Sequence, residues 1–163
     1  MMNETLSALD PSLRAMRLEE LTSGNIDRAN QLSVKPGQEK FVLPVTYSLI
    51  VTPFSPMTSW QRVAVVDDQV VGFIHANLDP NAAVDEYRAC IWRIYVDAAV
   101  QGQGVGSFMI HAFSEVAAGA GLDRITVMWE PGLDSPGEAF HRIGFTDIGR
   151  TEYGEIIGAL ASS

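Results

Sequence analysis

Residues 101–106, Gln101-Gly102-Gln103-Gly104-Val105-Gly106, join two unlike runs, and the fold is read from that junction. Before it, Ala89 to Asp97 is long and rich in Ile, Val, Trp and Tyr, the composition of a central strand. After it, from Gly104, the apolar residues Phe108, Met109, Ala112, Phe113, Val116 and Ala117 recur at spacings of one, three and four, which places them on one helix face. Gly119 and Gly121 terminate that helix. A glycine turn at a helix start offers unpaired backbone N–H groups and the positive end of the helix dipole, a concave site for an anion such as a pyrophosphate. Glycine lets such a ligand touch the backbone. A P-loop is excluded, because Ser107-Phe108 follow where Lys-Ser/Thr is required. A dinucleotide fingerprint is the less favoured alternative. The spacing is G-x-G-x-G, and the loop comes after several strands without intervening crossover helices.

Outward from the loop, Arg62 to Val66 and Val70 to Ala76 are β-rich runs joined by Asp67-Asp68-Gln69, a hairpin. A polar linker, Asp79 to Glu86, leads into the central strand. Met16 to Leu21 alternates as a first strand. Ser23-Gly24-Asn25 then supplies a turn and a polar cap for a short helix through Ile26, Ala29 and Leu32, stopped by Lys35-Pro36-Gly37. Gln38 to Trp60, with Pro44, Pro53 and Pro56, reads as short helices and loops. Downstream, Arg124 to Trp129 is a strand, Ser135 to Ile143 a short helix, and Phe145 to Arg150 and Glu155 to Leu160 two closing strands. The order predicts an α+β or mixed α/β layer around one sheet.

The chain has 163 residues, 11 Lys+Arg, 20 Asp+Glu and one Cys, which describes one domain: residues 1–14 as a flexible tail and 15–163 as a single unit. A formal net charge of −9, without a basic stripe, argues against nucleic acid. No apolar run approaches the roughly 18 residues of a membrane span, and no signal peptide is read at the N-terminus. A lone cysteine, Cys90, in the apolar run Ala89-Cys90-Ile91-Trp92 reads as a buried thiol in a reducing, cytoplasmic setting. His75, His111 and His141 form no spaced metal motif with it, and no metal is expected. His111 and Glu115 are one turn apart, but two ligands are too few for zinc. Asp67, Asp68, Asp79, Asp85 and Glu86 fall in a stretch without Lys or Arg, which suits a cationic substrate or plain solubility.

Gln101, Gly104 and Gly106 also satisfy the pattern Q/R-x-x-G-x-G/A, and here the sequence resembles the GNAT superfamily of acetyl-CoA-dependent N-acetyltransferases. The resemblance covers about residues 15 to 160. Ile94-Tyr95-Val96-Asp97 looks like the strand before the family's glycine loop, and Phe140-His141-Arg142-Ile143-Gly144-Phe145 looks like its F-Y-x-x-x-G-F signature. It implies a twisted, mostly antiparallel sheet of six or seven strands flanked by about four helices. Gln38-Glu39-Lys40-Phe41-Val42 with Ser48, Trp92-Arg93, and Trp129-Glu130-Pro131-Gly132 before Pro136 and Phe140 resemble the bacterial spermine/spermidine acetyltransferase-like branch.

The resemblance implies that the strand through Ile94 to Val96 and the strand Arg124 to Trp129 splay apart to admit the pantetheine arm. Coenzyme A would contact Ile94, Tyr95 and Val96, and its pyrophosphate the loop Gln101, Gly102, Gln103, Gly104, Val105, Gly106 and Ser107. A primary amine would attack acetyl-CoA directly, so Cys90 need not act as a nucleophile. His141 stands where this reading puts the motif's tyrosine, the usual acid, with Tyr95, Tyr153 or solvent as alternatives. Glu130 is the first candidate base, with Glu39 and Glu86 behind it. Glu39, Glu86 and Glu152, with Glu155, are candidates to meet a cationic acceptor. A coenzyme A-binding module with weak catalysis, or an acetyltransferase of protein N-termini or lysines, are the alternatives; a homodimer is the expected assembly if one forms.

Overall fold

The computed structural model describes residues 15–32 and 54–162. Seven strands form one sheet in the order β1-β2-β3-β4-β5-β7-β6. They are β1 (Arg17–Glu20), β2 (Ser59–Val66), β3 (Gln69–Leu78), β4 (Ala89–Val96), β5 (Arg124–Trp129), β6 (Thr146–Arg150) and β7 (Ile156–Ala161). Neighbours are antiparallel except β4 and β5, which run parallel. Among the described residues three α-helices join them: α1 (Ile26–Asn30), α2 (Val105–Gly119) and α3 (Gly137–Ile143). Short 3₁₀ turns stand at Pro56–Thr58, within the stretch read as short helices and loops, and at Asp85–Tyr87 and Ala98–Val100, which no sequence signal marks. The tail at 1–14, the stop at Lys35-Pro36-Gly37, the Gln38 to Val42 stretch with Glu39, and Ser48 lie outside the described residues.

The element order agrees with the sequence reading, while the edges move for local reasons. The β2–β3 connection is two residues, Asp67-Asp68, both at positive φ (49° and 63°), so Gln69 already belongs to β3. A turn of that hand matches the twist of the flanking strands, and aspartate tolerates it better than most residues. Helix α1 stops at Asn30, short of Leu32. Asn25 does not cap it; its side chain accepts from Thr22 N–H at 2.8 Å and donates to the Glu20 carbonyl at 2.9 Å, tying the helix entrance to β1. Helix α3 starts at Gly137, not Ser135, because Pro136 sits at its cap and the Ser135 hydroxyl accepts from Gly137 N–H.

Alternation sorts the sheet into two faces. One carries α2 and α3 and holds the larger core, with Ala64, Ile74, Ile91, Ile125 and Val127 against Phe108, Met109, Phe113 and Phe140. At Gly72 the helix comes so close that an added Cβ would lie 2.9 Å from Met109 Cε. The opposite face carries α1, with Ala29 over Val63, Val65, Phe73 and Tyr95. Farther along that face Cys90, Met128 and Ile157 pack with Phe54, Tyr87 and Trp92.

Strand β4 breaks phase once. His75 pairs with Arg93 and Ala76 with Ile91, so Trp92 is an extra residue, a β-bulge. Ile91 and Ile94 therefore reach the α2 face although three positions apart, and Trp92 and Arg93 both turn to the α1 face. The bulge aims two consecutive large polar side chains into one region.

Candidate active site

The parallel pair β4 and β5 is joined only at Cys90↔Thr126 and Ile91↔Val127. Beyond Ile91 the strands part. An open cleft of about 230 Å³ fills the gap, lined by β4 from Ile91 to Tyr95, by Val127, Met128 and Trp129 of β5, and by Glu130, Pro136, Phe140 and Glu155. On the β3 side Asp97 N–H donates to the Val71 carbonyl at 2.9 Å. Because successive backbone groups alternate between strand edges, those of Tyr95 share that edge and those of Ile94 and Val96 face the gap. The Val96 carbonyl accepts from Gln101 Nε2 at 2.9 Å, so the first residue of the glycine pattern ties the loop to the strand. The Tyr95 ring lies on the α1 face, buried against Phe73 at 5.8 Å.

The glycine loop sits at the top of the gap and opens helix α2. Gly102 and Gly104 have φ of 81° and 91°, a conformation that side chains with a Cβ adopt only under strain. A Cβ built at Gly102 meets nothing within 4 Å, so the backbone is approachable there. No side chain caps α2, a 15-residue helix, which leaves its first N–H groups and dipole for an anion. Val105 is core, and Gly106 lies against Val96, with a built Cβ 3.6 Å from its Cγ2. Gln103 and Ser107 are half-buried at the same end. These residues fit a pantetheine pyrophosphate: an uncapped helix start, a positive-φ loop and a strand edge leading away into an open gap.

On the α1 face the cleft mouth is acidic and aromatic. The last β5–β7 pair is Trp129↔Ile156, so Glu130 and Glu155 face each other one step beyond it. Glu130 is exposed and Glu155 half-buried. Burial is the main cause that raises the Glu155 carboxyl above the ordinary carboxylate range; the Arg93 charge opposes it and Glu130 adds to it. Phe54 meets Tyr87 and Trp92 edge-on, with ring centroids at 5.6 and 5.9 Å. Burial is the main cause that raises the Tyr87 phenol, with Cys90 and the charges of Glu86, Glu152 and Glu155 acting in the same direction. Glu86 and Glu152 are not on the cleft wall itself.

Three buried polar atoms on this face, His75 Nδ1, Trp92 Nε1 and Arg93 Nε, have no hydrogen-bond partner among the described residues. Leaving such an atom unpaired costs about 1–3 kcal/mol. Arg93 stacks its guanidinium over Trp92 at 4.0 Å and donates from Nη1 to the Trp92 carbonyl at 2.7 Å. His75 is fully buried, which together with the Arg93 charge lowers its pKa to about 4. The Cys90 thiol is pushed up to about 12 by burial and stays protonated. Such a thiol is no nucleophile.

His141 is not brought to the cleft. It is about half exposed, with Nε2 2.7 Å from Asp147 Oδ1, and it meets Trp129 edge-on at 5.6 Å. Phe140 lines the cleft instead. Neighbours on a helix point about 100° apart, so only one of the two reaches the wall. The count back from Gly144 agrees: His141, Arg142 and Ile143 are the three residues before the glycine, which gives the tyrosine's place to Phe140. Sequence reading had taken that place for His141. It also left Arg93 and Phe140 out of the site, although the spacing to Gly144 pointed to the second.

The family model of the acetyltransferase (GNAT) family matches residues 32–145. The chain belongs to that family. This GNAT protein is an acetyl-CoA-dependent N-acetyltransferase, and its sheet with the parted β4–β5 pair is the GNAT fold. No curated protein matches the sequence. Among solved structures it is similar to the ribosomal-protein-S18-alanine N-acetyltransferase from Escherichia coli, with 15% identity over 91% of this chain and 94% of that one and a TM-score of 0.64. The PaiA N-acetyltransferase from Thermoplasma acidophilum, in complex with coenzyme A, is 13% identical over 90% and 99% of the chains with a TM-score of 0.65. An aminoglycoside 6'-N-acetyltransferase, also complexed with coenzyme A, is 15% identical over 90% and 97% with a TM-score of 0.65. At these identities the likeness is one of fold.

Proposed function

We propose that this GNAT enzyme acetylates a primary amine of a small cationic acceptor, with polyamines such as spermine and spermidine the favoured class. The observation that carries the reading is the cleft on the α1 face, where Glu130 and Glu155 share the wall with the Trp92 ring, itself packed edge-on against Phe54. Carboxylates attract an ammonium and ring faces stabilise it further, while a tail with a second ammonium reaches toward Glu86 and Glu152. Acetyl-CoA supplies an acetyl thioester. In this reading the N–H groups from Gly102 to Gly106 hold its pyrophosphate, and the gap-facing backbone of Ile94 and Val96 orients the pantetheine and polarises the thioester carbonyl. The donor then enters along the α2 side and the acceptor along the α1 side, and they meet where β4 and β5 part. Glu130 and Glu155 are the carboxylates in position to relieve the ammonium of its proton.

One observation favours a second reading, a coenzyme A-binding module with weak catalysis: Phe140 carries no hydroxyl at the cleft wall. Release of coenzyme A thiol from acetyl-CoA, with spermine, spermidine, putrescine, an aminoglycoside, amino acids and a lysine peptide as acceptors, separates the two. Stimulation strongest with the polyamines supports the first. Acetyl-CoA binding without stimulation by any amine supports the second, and equal rates with a neutral-tailed monoamine remove the polyamine assignment.

A further inference from the structure

We infer that the Glu155 carboxylate is the base of the acetyl transfer and that Glu130, across the strand pair from it, acts through it. This rests on the acetyl-transfer reading of the cleft and deepens it. Two acids one step beyond the end of a ladder repel each other, and packing gains nothing from them. The two are not equivalent. Glu130 is exposed, whereas Glu155 is half-buried on the cleft wall and its backbone is fixed at both ends by Thr151, whose N–H donates to the Glu155 carbonyl at 2.8 Å and whose hydroxyl accepts from Glu155 N–H at 3.1 Å.

The charged and titratable groups around Glu155 are Arg93 and Cys90 from β4, Glu130 after β5, and Tyr87 from the 3₁₀ turn. Cys90 and Tyr87 are neutral at pH 7, both pushed upward. Arg93 is the cation that lowers its proton affinity, and it is engaged by Trp92 and its carbonyl; Arg150 of β6 donates to the neighbouring Gly154 carbonyl at 3.4 Å, and among the described residues Glu155 forms no ion pair within 4.0 Å. Glu155 is therefore a carboxylate without a contact counter-ion, standing at the mouth through which the ammonium arrives. Its burial and the Glu130 charge move its proton affinity toward neutral pH, as base catalysis requires.

The step balances. A Glu155 oxygen takes one proton from the alkylammonium, freeing the nitrogen lone pair. That pair forms the C–N bond to the thioester carbonyl carbon, and the C–S bond breaks with its electrons on sulfur. As the amide forms, nitrogen loses a second proton. One of the two protons ends on the thiol of coenzyme A and the other passes from Glu155 to water, so one proton is released per turnover.

The test uses the full chain with acetyl-CoA and two acceptors, spermidine and n-hexylamine, with thiol release followed from pH 5 to 9. Glu155→Gln is expected to lower kcat about 100-fold or more with both amines, while the thermal shift produced by acetyl-CoA stays within a factor of two. Glu155→Asp recovers at least tenfold over the Gln variant. Glu130→Gln moves the acid limb of kcat/KM to lower pH, since the like charge that raised Glu155 is gone, and an unmoved limb overturns the part given to Glu130. A Glu155→Gln kcat within threefold of the parent overturns the inference, as does a loss confined to KM for spermidine, which makes Glu155 an ammonium-binding group only. Equal use of both amines by the parent removes the polyamine assignment and leaves the base assignment standing.

Discussion

Replacing Gly104 by glutamate tests the loop on which the donor site depends. Gly104 has φ 91° and ψ 5° at the start of α2, so a Cβ there costs about 1–2 kcal/mol of strain. In a domain of this size each kcal/mol moves Tm by about 2–4 °C, so the free variant melts roughly 2–8 °C below the parent. Acetyl-CoA at 100 times its Kd stabilises the parent by about 2.7 kcal/mol, a rise of about 5–11 °C. A carboxylate about 4 Å from a pyrophosphate charge adds a repulsion on the order of 4 kcal/mol at an effective dielectric constant of about 20. Losing even 100-fold in affinity leaves about 0.4 kcal/mol of protection at the same ligand concentration, about 1–2 °C. Thermal melts with and without acetyl-CoA read both numbers. Gly119→Ala at the other end of α2, where a built Cβ meets nothing within 4 Å, is the control and keeps the full ligand shift. A Gly104→Glu protein that retains more than half of the parent's shift refutes the assignment of the loop to the pyrophosphate.

The buried His75 sets a pH dependence. Its folded pKa of about 4 lies below the ordinary histidine value of 6.5, so above pH 6.5 neither state is protonated; as pH falls toward 4 only the unfolded chain gains the proton, and stability drops by about 1.4 kcal/mol per unit, about 3 kcal/mol in all. Denaturant titrations of parent and His75→Gln at pH 7 and pH 4 check this, and an unchanged difference between the two proteins refutes it. Phe140→Tyr places a hydroxyl on the cleft wall and is expected to raise kcat several-fold, whereas His141→Phe, outside the wall, changes kcat less than twofold; a tenfold loss in the latter puts the proton donor on His141 after all. Gly158→Ala sets a Cβ 2.7 Å from Trp129 Cζ3, pushes the indole into the cleft and costs about 1–3 kcal/mol in a chemical melt, and a neutral result shows that Trp129 is free to move.

Much of this was legible in the sequence because it depends on local pattern. The strand run ending at Val96, the glycine turn and the amphipathic α2 are each written in consecutive residues, and β5 begins and ends where its composition changes. The resemblance of the loop and of the Gly144-Phe145 stretch led from there to the family. Element edges were less legible, since a two-residue Asp67-Asp68 turn and a three-residue one leave nearly the same trace.

What only the tertiary structure decided is which residues meet. A single bulge at Trp92 turns Arg93 to the same face, a one-residue shift that no periodicity announces because the strand remains β-rich throughout. The 100° between helix neighbours decided that Phe140 and not His141 lines the cleft. Glu130 and Glu155, 25 positions apart, became partners through the β5–β7 register, and burial then made them unequal. Sequence by itself determined the candidate donor loop, because a phosphate cradle is built from contiguous backbone. The proposed acceptor side draws on side chains of β4, of the ends of β5 and β7 and of a 3₁₀ turn, and only pairing across the sheet brings those together.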